Sequence, residues 1–472
     1  MAESPARLTA VDALRGLVMV IMALDHTREF LHAGAMNFAA DDLTRTTPLL
    51  FLTRWATHVC APVFFLTAGM GARLRMDRGG ARASTAQVSR YLWTRGLWLI
   101  AVELTVMRLA MNFTISLDYP VLLIILWALG WSMIALAALV YLPPRLVTAL
   151  GLAVIALHNT FDTVQAGQFG AAAWLWLLLH QPGAIAIGGV TAVTGYPVLP
   201  WLGVMAAGFG AAEIYQWESA HRRRALRAAG AIGVAGFIAV RALNVYGDPS
   251  PWATQPTAAF TALSFLNTTK YPPSLSFLLM TLGPAMWLLA GLERAGLSAR
   301  HPLVVFGRVP FAYYVTHFWM LHLAAAALAF ARYGPATWQF LWQPLPSMGG
   351  TRCAVSRGPW RVTGRGLRGL DPARRVALPG LRLALEPEGT PTRLVAQLPL
   401  SPLPHRRRAQ PPMRPGPSCR LAIRRQRDAR ARTGRGSRAA PCADGTHCRC
   451  SAAARRTSPM SPRRCTNRSS CD

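Results

Sequence analysis

The chain has 472 residues, 52% of them hydrophobic and only 15% charged, with a formal net charge of +30. Apolar runs recur through the first 345 positions, which excludes a water-soluble domain and gives an all-α fold class, a polytopic helical bundle in a membrane. Seven of the eight cysteines follow residue 351, so Cys60 stands alone in the apolar region and no disulfide framework is implied there.

Nine spans are expected, near residues 9–30, 49–72, 92–111, 120–142, 145–158, 196–215, 226–244, 273–292 and 302–331. The first carries Asp12, Arg15, Asp25 and His26 within its apolar run, which a cleaved signal peptide would not. At about 100° per residue, Asp12, Arg15, Met19, Met22 and His26 share one stripe. An ionisable side chain inside a spanning helix costs about 2.5–3.5 kcal/mol on insertion scales, which marks this stripe as a functional candidate. The plainer reading has Thr9 capping the helix, Asp12 in its first turn and Arg15 snorkelling to the interface.

His58, four residues before Pro62, lies near the end of the second span, where either a hydrogen bond at a proline kink or a substrate contact would employ it. Glu103 is a mid-span carboxylate in need of a partner, and Arg108, five residues on, is poorly placed to supply one. The segment 171–183 is apolar but short and ends in Pro182-Gly183, so it reads as interfacial or re-entrant, with Trp174 and Trp176 as anchors or sugar-stacking platforms. Gly208 and Gly210 lie inside a span with no strand before them, which favours close helix packing over a phosphate loop. His317 and His322 are five residues apart, about 140° around a helix, and so face different neighbours. His58, Glu103 and His317 are the substrate-binding candidates, and no metal-binding constellation stands out in the apolar region.

Arginines crowd the second loop (73–95), the sixth (222–227) and the eighth (294–300), which the positive-inside rule places in the cytoplasm together with the N-terminus. Arg15 is then near the cytoplasmic end of the first helix, and His26, eleven residues on, lies about 16 Å deeper. A multi-pass protein of the cell (inner) membrane is expected.

From Thr351 to Asp472 there are 27 arginines against six acids, a net +21, with no Lys, Tyr or Phe. This stretch, 346–472, reads either as a disordered basic arm or as GC-rich DNA translated out of frame. We favour the second, because permitted codons for Trp360 to Leu400, read one nucleotide later, can encode an apolar run of spanning length followed by a basic, aromatic end. That run would supply a tenth helix. Cys442, His447, Cys448 and Cys450 match no standard zinc spacing.

The run AVDALRGLVMVIMALDH, with Arg15, ten residues and then His26, resembles the first helix of a clan of membrane acyltransferases. The clan includes the acyltransferase type 3 enzymes and the family of heparan-α-glucosaminide N-acetyltransferase. In the second span Pro62, Phe64, Phe65 and Gly69 match a bacterial uncharacterised family of that kind, as do YPVLPWLGVMAAGFGA at 196–211 and GRVPFAYYVTHFWMLHL at 307–323. The resemblance covers about residues 8–345. It implies an integral membrane acyltransferase that takes an acyl group, with acetyl the one expected, from cytoplasmic acyl-CoA, with His26, Arg15 and Asp12 as catalytic residues. Its partners are then the lipid bilayer, acyl-CoA (acetyl-CoA) as donor substrate and a glycan, lipid or small-molecule acceptor, with no bound cofactor and no nucleic acid. Chemistry agrees independently: imidazole suits deprotonation of a nucleophile near neutral pH, and an arginine at the mouth is a fixed cation for phosphates. Intramembrane charges with Pro and Gly in helices would equally suit a transporter or flippase.

Overall fold

A computed structural model describes residues 8–32, 38–77, 84–117, 119–339 and 341. The basic stretch expected after residue 345, with its cysteine cluster, lies outside the described residues. The first long helix, α1 (Thr9–Leu31), starts at Leu8 without a side-chain cap, so Thr9 is a helical residue rather than the cap. The expected second span is divided into α2 (Pro48–Thr57) and α3 (Cys60–Asp77), with the break at His58-Val59. Thr47 caps α2 by accepting from the Leu50 amide, and Pro48 occupies the first turn, where a missing N–H costs nothing.

The third expected span is also interrupted. A capping box of Ser84 and Gln87 opens α4 (Thr85–Val102), a π-helical turn follows at Glu103–Met107, and the chain resumes as α5 (Arg108–Asn112). After the strand β1 (Val121–Leu123) come α6 (Ile125–Leu139) and α7 (Pro144–Leu157). The segment read as re-entrant is the two-turn α8 (Ala173–Leu179), far too short to cross. It leads into a hairpin absent from the sequence reading, β2 (Gly183–Ile187) and β3 (Val190–Thr194), closed by Gly188 and Gly189 at positive φ. β3 also pairs with β1 in parallel, giving the sheet order β1-β3-β2.

The remaining helices are α9 (Val198–Ala211), α10 (Ser219–Leu243), α11 (Ala258–Leu266), α12 (Leu275–Ala295), α13 (Pro302–Arg308) and α14 (Pro310–Tyr333). Residues 221–224, assigned to a loop from their charge, instead form the first turns of α10. The expected single span 302–331 breaks at Val309 (φ −124°, ψ 45°), a non-helical residue just before Pro310, where the proline ring disfavours helical backbone in the residue preceding it.

Six helical stretches are long and apolar enough to cross a membrane: Pro48–Met76, Pro144–Phe161, Val198–Gln216, Ser219–Leu243, Leu275–Ala295 and Pro310–Tyr333. They coincide with six of the nine expected spans. The other three differ for stated reasons: α1 is laden with charge, the α4–α5 region is interrupted by the π turn, and α6 has 15 residues, a rise of about 22 Å.

Glycines set the helix crossings, as expected in a bundle whose helices gain little from hydrophobic burial against each other. A Cβ at Gly16 of α1 would lie 1.9 Å from the Leu303 carbonyl of α13, and one at Gly307 of α13 would lie 1.6 Å from the Asp12 carbonyl of α1. The same reciprocity joins α3 and α9 through Gly69 and Gly208, α4 and α6 through Gly96 and Gly130, and α10 and α12 through Gly233 and Gly283. The packing role read for Gly208 and Gly210 is therefore the one observed.

Candidate active site

Backbone contact of α1 with α13 brings the first residues of α1 to the edge of a cavity of about 400 Å³. Four guanidinium groups line it, those of Arg15, Arg75, Arg95 and Arg308, with Asp12 as the carboxylate among them. Arg15 forms an i,i+3 ion pair with Asp12 at 3.5 Å and donates to the Thr67 carbonyl at 2.6 Å, while Asp12 lies 4.0 Å from Arg308. Arg75 sits over the Tyr91 ring at 4.3 Å and Arg95 over Phe311 at 5.3 Å. The aromatic faces hold each planar cation in place without neutralising it.

Further along α1, a second cavity of about 150 Å³ is lined by His26, Asp25, Glu29, Arg54, Lys270 and Tyr271, among others. Ile125 and Tyr314 line both cavities, which therefore adjoin. His26 lines this second space and is hydrogen-bonded to His317 of α14, Nδ1 to Nε2 at 2.6 Å, while its ring packs on Phe318. Nδ1 of His317 lies 2.9 Å from the Tyr313 carbonyl, which only accepts, so that nitrogen carries the proton. With both imidazoles uncharged, Nε2 of His317 then accepts from Nδ1–H of His26. Nε2 of His26 keeps its lone pair, the state a general base requires. Asp25 is held by Arg28 and Arg54, each at 2.5 Å, so it neutralises its neighbours and is not itself that base.

The candidates thus divide. Asp12 and Arg15 meet at the first cavity; His26 lines the second and bonds to His317, which itself lines neither. His58 is buried against Phe277 with both ring nitrogens unpartnered among the described residues, and it lines neither cavity. Glu103 finds a helix terminus where a cation was sought: its Oε2 accepts from the Leu126 and Trp127 amides at 2.7 and 3.3 Å, in the first turn of α6. Arg108 points away to the Ser116, Tyr119 and Pro120 carbonyls. His322 donates to the Ala110 carbonyl at 2.7 Å and stacks on Phe113, away from His317, as the 140° separation requires. Trp176 donates to the Val164 carbonyl and stacks on His180, which occupies it structurally.

Sequence reasoning missed Arg54, Glu29, Tyr314 and Lys270, and saw Arg75 and Arg95 only as loop charges. Lys270 had a signal: it is the only lysine in a chain with 50 basic residues. A protein that uses arginine everywhere else retains an amine at the cavity wall.

No curated protein matches the chain. The family described as heparan-alpha-glucosaminide N-acetyltransferase, catalytic, matches over residues 7–247, which spans α1 to α10 and ends before Lys270, Tyr314 and His317. On that match over half its length, the chain belongs to the heparan-alpha-glucosaminide N-acetyltransferase catalytic family.

Proposed function

We propose that the protein is a multi-pass acyltransferase of the cell membrane, with its N-terminus in the cytoplasm. It moves an acyl group, acetyl in the simplest case, from cytoplasmic acyl-CoA to an acceptor held beside His26. The observation that carries this reading is the pair of adjoining cavities. One presents four guanidiniums suited to the phosphates of a CoA nucleotide, the other presents an imidazole with a free lone pair, and Ile125 and Tyr314 line both. Arg75 and Arg95 flank the loop that charge assigns to the cytoplasm, and both line the same cavity as Arg15, which supports a cytoplasmic donor side.

The chemistry balances without further reactants. His26 Nε2 takes the proton of the acceptor's amine or hydroxyl, the new C–N or C–O bond forms, the thioester C–S bond breaks, and the proton passes to the leaving thiolate. His317 fixes the tautomer of His26, and Arg15, oriented by Asp12, holds the donor. Membranes carrying the chain are incubated with radiolabelled acetyl-CoA for the test. Label reaching lipid, glycan or small acceptor, reduced about 10²–10⁴-fold by His26→Ala, is expected of a general base. Absence of any His26-dependent transfer would move the assignment to a transporter.

The basic stretch after residue 345 is, in the same reading, an out-of-frame translation of a tenth spanning helix. Resequencing the DNA that encodes Pro344 to Trp360 is expected to reveal a single-base insertion or deletion. An intact frame there would restore the stretch as a genuine arginine-rich arm.

A further inference from the structure

The histidine cavity contains two charged side chains that the described residues leave without an ion pair. Glu29, one turn beyond Asp25 on α1, has neither hydrogen bond nor salt bridge, because Arg28 and Arg54 are both engaged by Asp25. Lys270 has only the face of Tyr271, 5.3 Å away. The two lie within electrostatic reach of each other and of Asp25 and Arg54, yet neither closes an ion pair among the described residues, so a group of each sign lines the same small space with its polar end open to a ligand.

Lys270 is also held in place by its surroundings. The residue before it, Thr269, donates its amide to Asp248 Oδ2 at 3.0 Å and its hydroxyl to Oδ1 at 2.8 Å. Ser274 donates to the same carboxylate at 2.7 Å, and Lys270 bridges to Pro273 within the turn so formed. Asp248 in turn lies 3.8 Å from Arg241, a fully buried guanidinium that also donates to the Ser250, Ser264, Phe265 and Asn267 carbonyls. One buried arginine at the end of α10 thereby ties down the segment that presents the chain's only lysine to the cavity.

We infer that this space is a subsite for a small acceptor group that carries an oxyanion, a phosphate or carboxylate, beside the N–H or O–H to be acylated. Lys270 binds the oxyanion, Glu29 accepts from the donor hydrogens of the acceptor, and the lone pair of His26 faces the nucleophile. A cavity of about 150 Å³ admits a head group rather than a length of polymer. The name acceptor rests on the acyl-transfer reading, whereas the anion subsite does not.

Titration calorimetry on the full chain in detergent separates the two. Glucosamine 6-phosphate is expected to bind at least about tenfold more tightly than glucosamine, the worth of one charge-assisted contact. Lys270→Ala is expected to erase that preference and Lys270→Arg to restore most of it, while Glu29→Gln weakens both ligands. Dihexanoyl phosphatidylethanolamine is titrated in parallel, and a Lys270-dependent preference for it over the sugar phosphate assigns the same subsite to a lipid head group. Equal affinity for charged and neutral sugars with no lipid binding, or a preference that survives Lys270→Ala, overturns the subsite. Release of CoA thiol from acetyl-CoA is followed in the same preparations. Its absence removes the acyl-transfer reading and leaves Lys270-dependent anion binding standing.

Discussion

His26 and His317 are 291 positions apart in sequence and 2.6 Å apart in space, and that contact defines the role of each. A lone imidazole exchanges tautomers, but one whose Nδ1–H is fixed by an acceptor presents the same Nε2 lone pair at every turnover. His317→Ala is therefore expected to lower kcat for acetyl transfer about 10–100-fold with little change in the acyl-CoA KM, and His317→Gln, which keeps an acceptor near the Nε2 position, to recover part of the loss. Arg95→Ala is expected to do the reverse and raise the acyl-CoA KM about tenfold with a smaller effect on kcat. Steady-state kinetics on both variants separates the assignments. The first half of this site was legible because Asp12, Arg15 and His26 lie on one helix, where spacing dictates a shared face. His317 was singled out but its partner was not, since no local periodicity reports which face of a distant helix meets which; Tyr314 was missed for the same reason, and Lys270, in the turn before α12, was passed over although it is the only lysine of the chain. Glu103 shows the opposite error: a buried carboxylate suggests a cation, but a helix N-terminus meets the same electrostatic need.

At the scale of the element, helices touch backbone to backbone, and small residues decide where. Gly307→Ala places a methyl 1.6 Å from the Asp12 carbonyl, so α1 and α13 must part, at a cost of about 1–3 kcal/mol or more and with displacement of the Asp12–Arg15 pair. Gly291→Ala in α12 meets nothing within 4 Å and replaces a poor helix former, with an expected gain of about 0.5–1 kcal/mol. Thermal unfolding in detergent should show the first variant melting earlier and the second later than the parent. Hydropathy located most long helices within a few residues, because apolar length is written directly in the chain. Breaks escaped it: His58-Val59, the π turn and Val309 are produced by local backbone demands that a hydropathy window averages away. The β2–β3 hairpin also escaped, although Gly188-Gly189 between alternating apolar residues is the pattern of a two-residue turn. It lies among apolar runs that read as membrane, and the prior for helix there overrode the turn.

For the described bundle as a whole, the sequence foretold a polytopic helical protein with a charged first helix, and the family match over residues 7–247 agrees. What composition could not foretell is that the polar groups gather in two adjoining chambers with Tyr314 and Ile125 common to both linings. That shared lining has a mechanical consequence. Tyr314 belongs to α14 and Ile125 opens α6, so a change of rotamer at either side chain reshapes both chambers at once, and the volume of one cannot be set independently of the other.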